Sequence, residues 1–205
     1  MLSMCSRRVI YITATFMTLI LAQVASAAGD AERGKLLADT CMGCHGVDTF
    51  TNVYPTYHVP KVAGQDAGYI VNALTLYRDG QRDHGTMTAQ AASLSDQDIQ
   101  DIAAYLQGAG DKLDPAAPGE GAAPAAAQIC AACHGPAGVS PIPTNPILAG
   151  QHLDYIQQAL EQYRSGERKG PNAIAMQAQL AAVSAEDLAA IAEYFAQQKG
   201  LTTLN

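Results

Sequence analysis

Apolar residues after position 28 recur with the 3.6-residue period of α-helices, and strand-like alternation is absent. Asp30 is expected to cap a first helix that runs from Ala31 into residues 41–45, with Leu36 and Leu37 facing inward. A further helix opens at Gln65 or Asp66 and stops at Gly80. Its predicted apolar stripe consists of Tyr69, Ile70, Ala73, Leu74 and Tyr77.

Two more helices begin with the same capping signal. Ser95 with Asp98, and Ser184 with Asp187, fit the Ser-x-x-Asp pattern in which each side chain bonds the other's backbone N–H. Apolar residues follow both caps at helical spacing, which predicts one amphipathic helix at each place. The stretch from 108 to 123 is rich in Gly, Pro and Ala and is expected to be a linker.

The first 28 residues have the pattern of a signal peptide. Arg7 and Arg8 precede a mostly apolar run over residues 9–22, and Ala25-Ser26-Ala27 is a small-residue cleavage pattern. The apolar run is short for a membrane span, which needs about 20 residues. Export to a bacterial periplasm is therefore expected, with an uncleaved anchor and peripheral membrane association as the alternative.

The remaining chain is acidic. Loss of Arg7 and Arg8 leaves 10 basic against 19 acidic residues, a net charge of about −9. Phosphate binding requires a basic surface, so nucleic acid is excluded as an expected partner. A basic docking patch on a protein partner suits this charge better.

The chain contains an internal repeat. Cys41 and Cys130 are 89 positions apart, whereas Ala63-Gly64-Gln65 and its match Ala149-Gly150-Gln151 are 86 apart. The predicted organisation is a signal peptide (1–28), a first domain (29–108), a linker (109–122) and a second domain (123–205).

Each copy contains a Cys-x-x-Cys-His sequence, formed by Cys41, Cys44 and His45 and by Cys130, Cys133 and His134. Two thiols at this spacing bond the vinyl groups of one porphyrin, and the adjacent histidine becomes the proximal ligand of the iron. Two covalent c-type haems are therefore predicted. A redox dithiol and a structural zinc site are the alternatives. Zinc-binding cysteine pairs, however, usually lie about 12–20 residues apart, much closer than the two pairs in this chain.

A methionine follows each proximal histidine at the same distance of 42 residues: Met87 after His45 and Met176 after His134. Both are expected in a loop ahead of the last helix, as second axial ligands. A thioether is a soft donor that raises the reduction potential. His84 is an alternative ligand in the first copy, whereas the remaining histidines, His58 and His152, are expected to be surface or supporting residues.

At these motifs the sequence resembles the dihaem class I cytochromes c, most closely the cytochrome c4 family. The resemblance rests on Cys130-Ala131-Ala132-Cys133-His134-Gly135, Pro146-Ile147-Leu148-Ala149-Gly150-Gln151 and Leu94-Ser95-Asp96-Gln97-Asp98-Ile99. It implies an all-α fold of two tandem class I cytochrome c domains, each a small helical bundle around one covalent haem.

The resemblance also implies roles for individual residues. The carbonyls of Pro60 and Pro146 would accept the ring N–H groups of His45 and His134, and Gly34 and Tyr105 would lie where the first and last helices cross. In the second copy Ala123 replaces that glycine, so a looser crossing is expected there.

The function that follows is electron transfer without a substrate, between partners such as a membrane oxidase or reductase complex or other cytochromes. One alternative is the cytochrome subunit of a larger dehydrogenase complex. Another is a dihaem enzyme such as a peroxidase, which would need an open iron position.

Overall fold

Helices make up about half of residues 29–204, the part of the chain that the computed structural model describes. The predicted all-α fold is confirmed. The first half contains α1 (Ala31–Leu37), α2 (Asp39–His45), α3 (Ala67–Arg78), α4 (Gly85–Ala91) and α5 (Asp96–Gly108). The second half contains α6 (Gln128–His134), α7 (Leu153–Arg164), α8 (Pro171–Leu180) and α9 (Ala185–Ala196). The predicted signal peptide lies outside the described residues.

The first helix is shorter than predicted because it breaks at Ala38, so that α1 and α2 are separate. Asp30 caps α1 as expected, accepting the backbone N–H groups of Glu32 and Arg33 at 3.0 and 3.1 Å. The prediction that Leu36 faces inward is wrong, since its side chain is 79 % exposed. Gly34 occupies the buried face of α1, and a residue two positions further along a helix points to the opposite side.

Gly34 allows α1 to cross α5 at very short range. A Cβ atom at this position would overlap the carbonyl group of Asp101. The Arg33 guanidinium bonds both Asp98 and Asp101 beside the crossing. Hydrogen bonds from Ser95, followed by the contact with Arg33, lower the pKa of Asp98 to about 2.

The core of the first half lies between α1, α3 and α5. Its buried residues are Ala38, Ile70, Leu74, Ile99, Ile102, Ala103 and Leu106, with Tyr105 packed against them. Ser95 and Asp98 form the predicted capping box at the start of α5. The last helix of the second half, α9, likewise begins with Ser184 accepting the N–H of Asp187 at 3.0 Å.

The second half has no counterpart of α1 within the described residues. A single 3₁₀ turn, Ala125–Ala127, packs against α9 instead, around Ala127. The segment before this turn is held by Gln198, just after the end of α9, which bonds the backbone N–H and C=O of Glu120 at 2.6 and 3.1 Å. The helix crossing near Ala123 is therefore replaced by a loop contact.

One part of the first half departs from the all-helical prediction. Two-residue strands, β1 (Thr51–Asn52) and β2 (Tyr57–His58), pair antiparallel as a small hairpin. Side-chain bonds from Asn52 to the Pro55 carbonyl and from Thr56 to the Val53 carbonyl close its turn. Strands this short carry too few alternating positions to produce a sequence signal.

The two halves pack directly against each other. Thr202, near the C-terminus, pairs with Ala63 of the first half. Gly68 at the start of α3 lies so close to Pro143 that a Cβ atom would be 2.6 Å from its carbonyl oxygen. Between residues 29 and 204 no helix has the length and apolar character needed to cross a bilayer.

Replacing Gly34 with alanine is expected to destabilise the protein by about 3 kcal/mol, because the new methyl group meets backbone rather than a movable side chain. Gly108→Ala is the matched control, since a Cβ there meets nothing within 4 Å. The control is expected to be neutral or stabilising by about 0.5–1 kcal/mol. Thermal unfolding of both variants tests this, and equal midpoints would show that the crossing tolerates a side chain.

Candidate functional site

Two short helices present the predicted attachment residues. α2 carries Cys41 and Cys44 and ends at His45, and α6 carries Cys130 and Cys133 and ends at His134. All four thiols are free. Within residues 29–204 no three His, Cys, Asp or Glu side chains are grouped to hold a metal ion, so the cysteine pairs do not form a joint zinc site.

Each histidine of these motifs is fixed by a proline carbonyl. His45 Nδ1 lies 2.6 Å from the Pro60 oxygen, and His134 Nδ1 lies 2.9 Å from the Pro146 oxygen. A carbonyl oxygen only accepts, so Nδ1 carries the hydrogen and Nε2 keeps its lone pair free for a metal. Burial lowers the pKa of both imidazoles, which favours this neutral form.

The predicted ligand methionines lie in helices rather than in loops, which corrects the expectation. Met87 is in α4, where His84 caps the helix by accepting the Met87 N–H at 3.3 Å. Met176 is in α8, which begins at Pro171. Proline fits the first turn of a helix because no N–H is required there, and this signal was available in the sequence.

The structure places each methionine against the core of its own half. Met87 packs on the same hydrophobic cluster as Met42, which lies between the two cysteines of α2. Met176 packs on the same cluster as Cys130. Beside these residues, Ile129 and Ile174 are 42 % and 68 % exposed, so apolar surface flanks the second site.

Two buried arginines form a further feature that the sequence reasoning missed. Arg82 and Arg168 are 8 % and 6 % exposed, and within residues 29–204 neither forms an ion pair with a carboxylate. Their guanidinium groups lie over tyrosine rings instead, Arg82 4.5 Å from the centroid of Tyr77 and Arg168 4.8 Å from that of Tyr163. Buried cations without an anion are costly, so this region fits an added negative group.

The phenol of Tyr155 lies between the two halves and senses both cations. Arg82 donates to its oxygen at 3.0 Å. Burial raises the pKa of Tyr155, but attraction by Arg82 and Arg168 outweighs burial and brings the pKa to about 7. A phenol this close to ionisation reports the positive potential of the region.

The other three histidines form a stacked pair at the boundary between the halves and a helix cap. His58 stacks on His152 across the boundary between the halves, with ring centroids 4.8 Å apart. His58 also bonds the Asp154 carboxylate through its backbone N–H and Nδ1, at 3.0 and 2.8 Å. His58 and His152 are thus contacts between the two halves, and His84 is a helix cap.

The donor set and surroundings fit a covalently attached haem in each half. Free thiols at two-residue spacing, a neutral imidazole with Nε2 available, a methionine on the core cluster of the same half and buried cations for acidic substituents are all present. The repeat register would have identified the arginines, because Arg82 and Arg168 are 86 positions apart, like the other interior matches. The signal in the sequence was an arginine at the same position of both copies.

Comparison with known proteins agrees with this geometry. The family described as "Cytochrome c" matches residues 31–110, and that described as "Cytochrome C oxidase, cbb3-type, subunit III" matches residues 116–195. The two matches and the cysteine spacing identify two tandem cytochrome c domains with two covalently attached haem c groups.

Similar proteins cover most of the chain. A "Cytochrome c4" of Pseudomonas aeruginosa is 38 % identical over 193 residues, covering 87 % of this chain and 93 % of that protein. A "Thiosulfate dehydrogenase electron acceptor" of Stutzerimonas stutzeri is 36 % identical over 172 residues, covering 78 % of this chain and 79 % of that protein. The crystal structure of reduced recombinant cytochrome c4 from Pseudomonas stutzeri superimposes with a TM-score of 0.64 at 30 % identity, covering 85 % of this chain and all of that chain.

Proposed function

The chain belongs to the cytochrome c4 family, and from this premise we propose that it is a periplasmic electron carrier whose two irons are both closed by protein ligands. Cys41, Cys44, Cys130 and Cys133 attach the two porphyrins, His45 and Met87 ligate one iron, and His134 and Met176 ligate the other. The observation that carries this proposal is the same histidine–proline contact in both halves.

The two haem c groups supply reversible one-electron chemistry at iron, and the chain sets the conditions for it. Nδ1 of each histidine donates to its proline carbonyl, which orients the ring and leaves Nε2 for the iron. A methionine thioether as the second protein ligand would favour ferrous iron and raise the potential. With a histidine and a methionine holding each iron, no position would remain there for a substrate, which is the reason for proposing a carrier rather than an enzyme.

The buried arginines complete the proposed site. Each haem carries two propionate carboxylates, and Arg82 and Arg168 are guanidinium groups whose partners among residues 29–204 are tyrosine side chains and the amide oxygen of Gln162. Pairing with carboxylates would remove the cost of burying these cations. It would also return the Tyr155 pKa towards its ordinary value, because the positive field acting on that phenol would be neutralised.

Redox proteins are the partners of such a carrier. The charge of about −9 after residue 28 favours a partner with a basic docking surface, such as a membrane oxidase or reductase complex or another cytochrome. Encounter between opposite charges is faster at low ionic strength.

A second candidate role is that of electron acceptor for a thiosulfate-oxidising dehydrogenase. It is favoured by the similarity to the Stutzerimonas stutzeri protein of that description over 78 % of this chain. Purified thiosulfate dehydrogenase, mixed with the oxidised protein and thiosulfate, distinguishes the two roles. Prompt reduction of the haems supports the acceptor role, and no reduction beyond an enzyme-free control contradicts it.

Replacing Met176 with alanine tests the proposed ligation. We expect about half of the weak long-wavelength absorbance of the oxidised protein, which reports sulfur–iron bonding, to disappear. The reduced variant should bind carbon monoxide at one haem, and the potential of that haem should fall. Met87→Ala should do the same in the other half.

Met42→Leu is the matched control, because Met42 packs on the same cluster as Met87 but is not a proposed ligand. It should keep the full absorbance and bind no carbon monoxide. Mass measurement of the unaltered protein should find two porphyrins bonded to the chain. Carbon monoxide binding by the unaltered protein would contradict the carrier proposal.

Arg82→Leu and Arg168→Leu are each expected to lower the reduction potentials, on the order of tens of millivolts. Loss of a buried cation leaves the propionate charge uncompensated, which stabilises ferric iron. Arg164→Leu is the matched control, since it removes the same charge from an exposed position where solvent screens it. Spectroelectrochemical titration measures all three, and equal shifts for Arg164 and the buried pair would contradict the assignment.

A further inference from the structure

One peptide group in each half takes part in two hydrogen bonds that point in opposite directions. The Pro60–Lys61 peptide accepts from His45 Nδ1 at its C=O, and its N–H donates to Gln151 Oε1 at 2.9 Å. Gln151 belongs to the other half of the molecule. The imidazole of the first half is therefore connected, through a single peptide plane, to a side chain of the second half.

The same arrangement occurs in the reverse direction. The Pro146–Ile147 peptide accepts from His134 Nδ1, and its N–H donates to Gln65 Oε1 at 2.8 Å. Gln65 and Gln151 are matched positions of the repeat, as are Lys61 and Ile147, each pair 86 apart. The two contacts form a reciprocal pair in which each half holds the peptide behind the other half's histidine.

Both glutamine side chains form hydrogen bonds at both ends of the amide. Gln65 and Gln151 are 3 % and 5 % exposed. Their Nε2 groups donate to the carbonyls of Ile147 and Lys61 at 3.1 and 2.9 Å. Each Oε1 also accepts the N–H of the residue that follows it, at 3.0 and 3.1 Å. Buried amides bonded at both ends are held in one orientation, because any other leaves polar groups unsatisfied.

The physical consequence follows from conjugation in the amide group. When its N–H donates a hydrogen bond, the peptide is polarised and its carbonyl oxygen becomes more negative, so bonds in such a chain strengthen one another by about 10–30 % each. A stronger acceptor at the proline oxygen draws the Nδ1 hydrogen more strongly. The imidazole then donates more electron density through Nε2, as it does whenever its other nitrogen has a strong hydrogen-bond partner.

We propose that Gln151 tunes the haem bound by His45 and that Gln65 tunes the haem bound by His134, so that each half sets the reduction potential of the other. This inference rests on the axial roles in the proposed function. Both glutamines are positioning residues, since they act through a peptide and a histidine and do not touch the iron. A more basic imidazole stabilises ferric iron, so each glutamine lowers the potential of the opposite haem.

The test uses Gln151→Leu and Gln65→Leu, each made separately in the full-length protein with both haems attached. Haem methyl proton signals, assigned to each half by their contacts with its residues, are followed during a stepwise redox titration. In Gln151→Leu, the ferrous-to-ferric ratio at the first haem should rise about three- to tenfold at a fixed ambient potential. For a one-electron centre this is an upward shift of about 30–60 mV. The second haem should move much less.

Gln65→Leu should give the mirror result, with the shift at the second haem. The Nδ1 proton of the affected histidine should also move to higher field, because its hydrogen bond is weaker. If either leucine variant fails to fold, the shorter Gln→Asn change tests the same contact with less loss of polarity, since asparagine does not reach the opposite peptide.

His58→Gln is the matched control, because it breaks a contact between the halves without touching either proline peptide. It should leave both potentials in place. The inference is overturned if a glutamine variant shifts the haem of its own half, shifts both haems equally or shifts neither. The unaltered protein separates this failure from that of the proposed function, because only the latter is contradicted by missing porphyrins or missing sulfur ligation.

Discussion

The hydrogen bond from a histidine ring to a proline carbonyl is the contact on which each half of this protein depends. It fixes the ring, places the hydrogen on Nδ1 and leaves Nε2 free. The chain returns to the histidine after 15 residues in the first half and after 12 in the second. The first half uses part of its longer path for the β1–β2 hairpin. Loop length changes between the copies, whereas the contact is kept.

The boundary between the halves is built on the same two peptides. Because the copies derive from one pattern, a glutamine that reaches across from one half has a counterpart that reaches back. Around this pair the halves differ. Gly68 gives the first half room to approach Pro143, and its counterpart Asp154 bonds His58 instead. A duplicated domain thus retains reciprocal central contacts while its periphery becomes asymmetric.

The net charge of the chain and the charge of the two buried arginines have opposite signs. The chain is acidic overall, yet it buries Arg82 and Arg168 among tyrosines at the boundary between the halves. An acidic surface favours encounters with basic redox partners. Buried cations act at short range on whatever charge develops within the protein, because the interior screens them less than water does. Under the proposed function the two charge distributions would serve different steps, docking outside and the tuning of potential inside.

The sequence by itself determined the features that depend on neighbouring residues: the Cys-x-x-Cys-His sites, the caps at Asp30, Ser95 and Ser184, and the repeat. Capping and haem attachment are set by fixed short spacings, which a sequence displays directly. Only the tertiary structure decided that Leu36 faces outward and that Gln65, Gln151, Arg82 and Arg168 are buried between the halves. The burial of these four side chains and the crossing beside Leu36 arise from contacts about 70–90 residues apart, for which local periodicity carries no information.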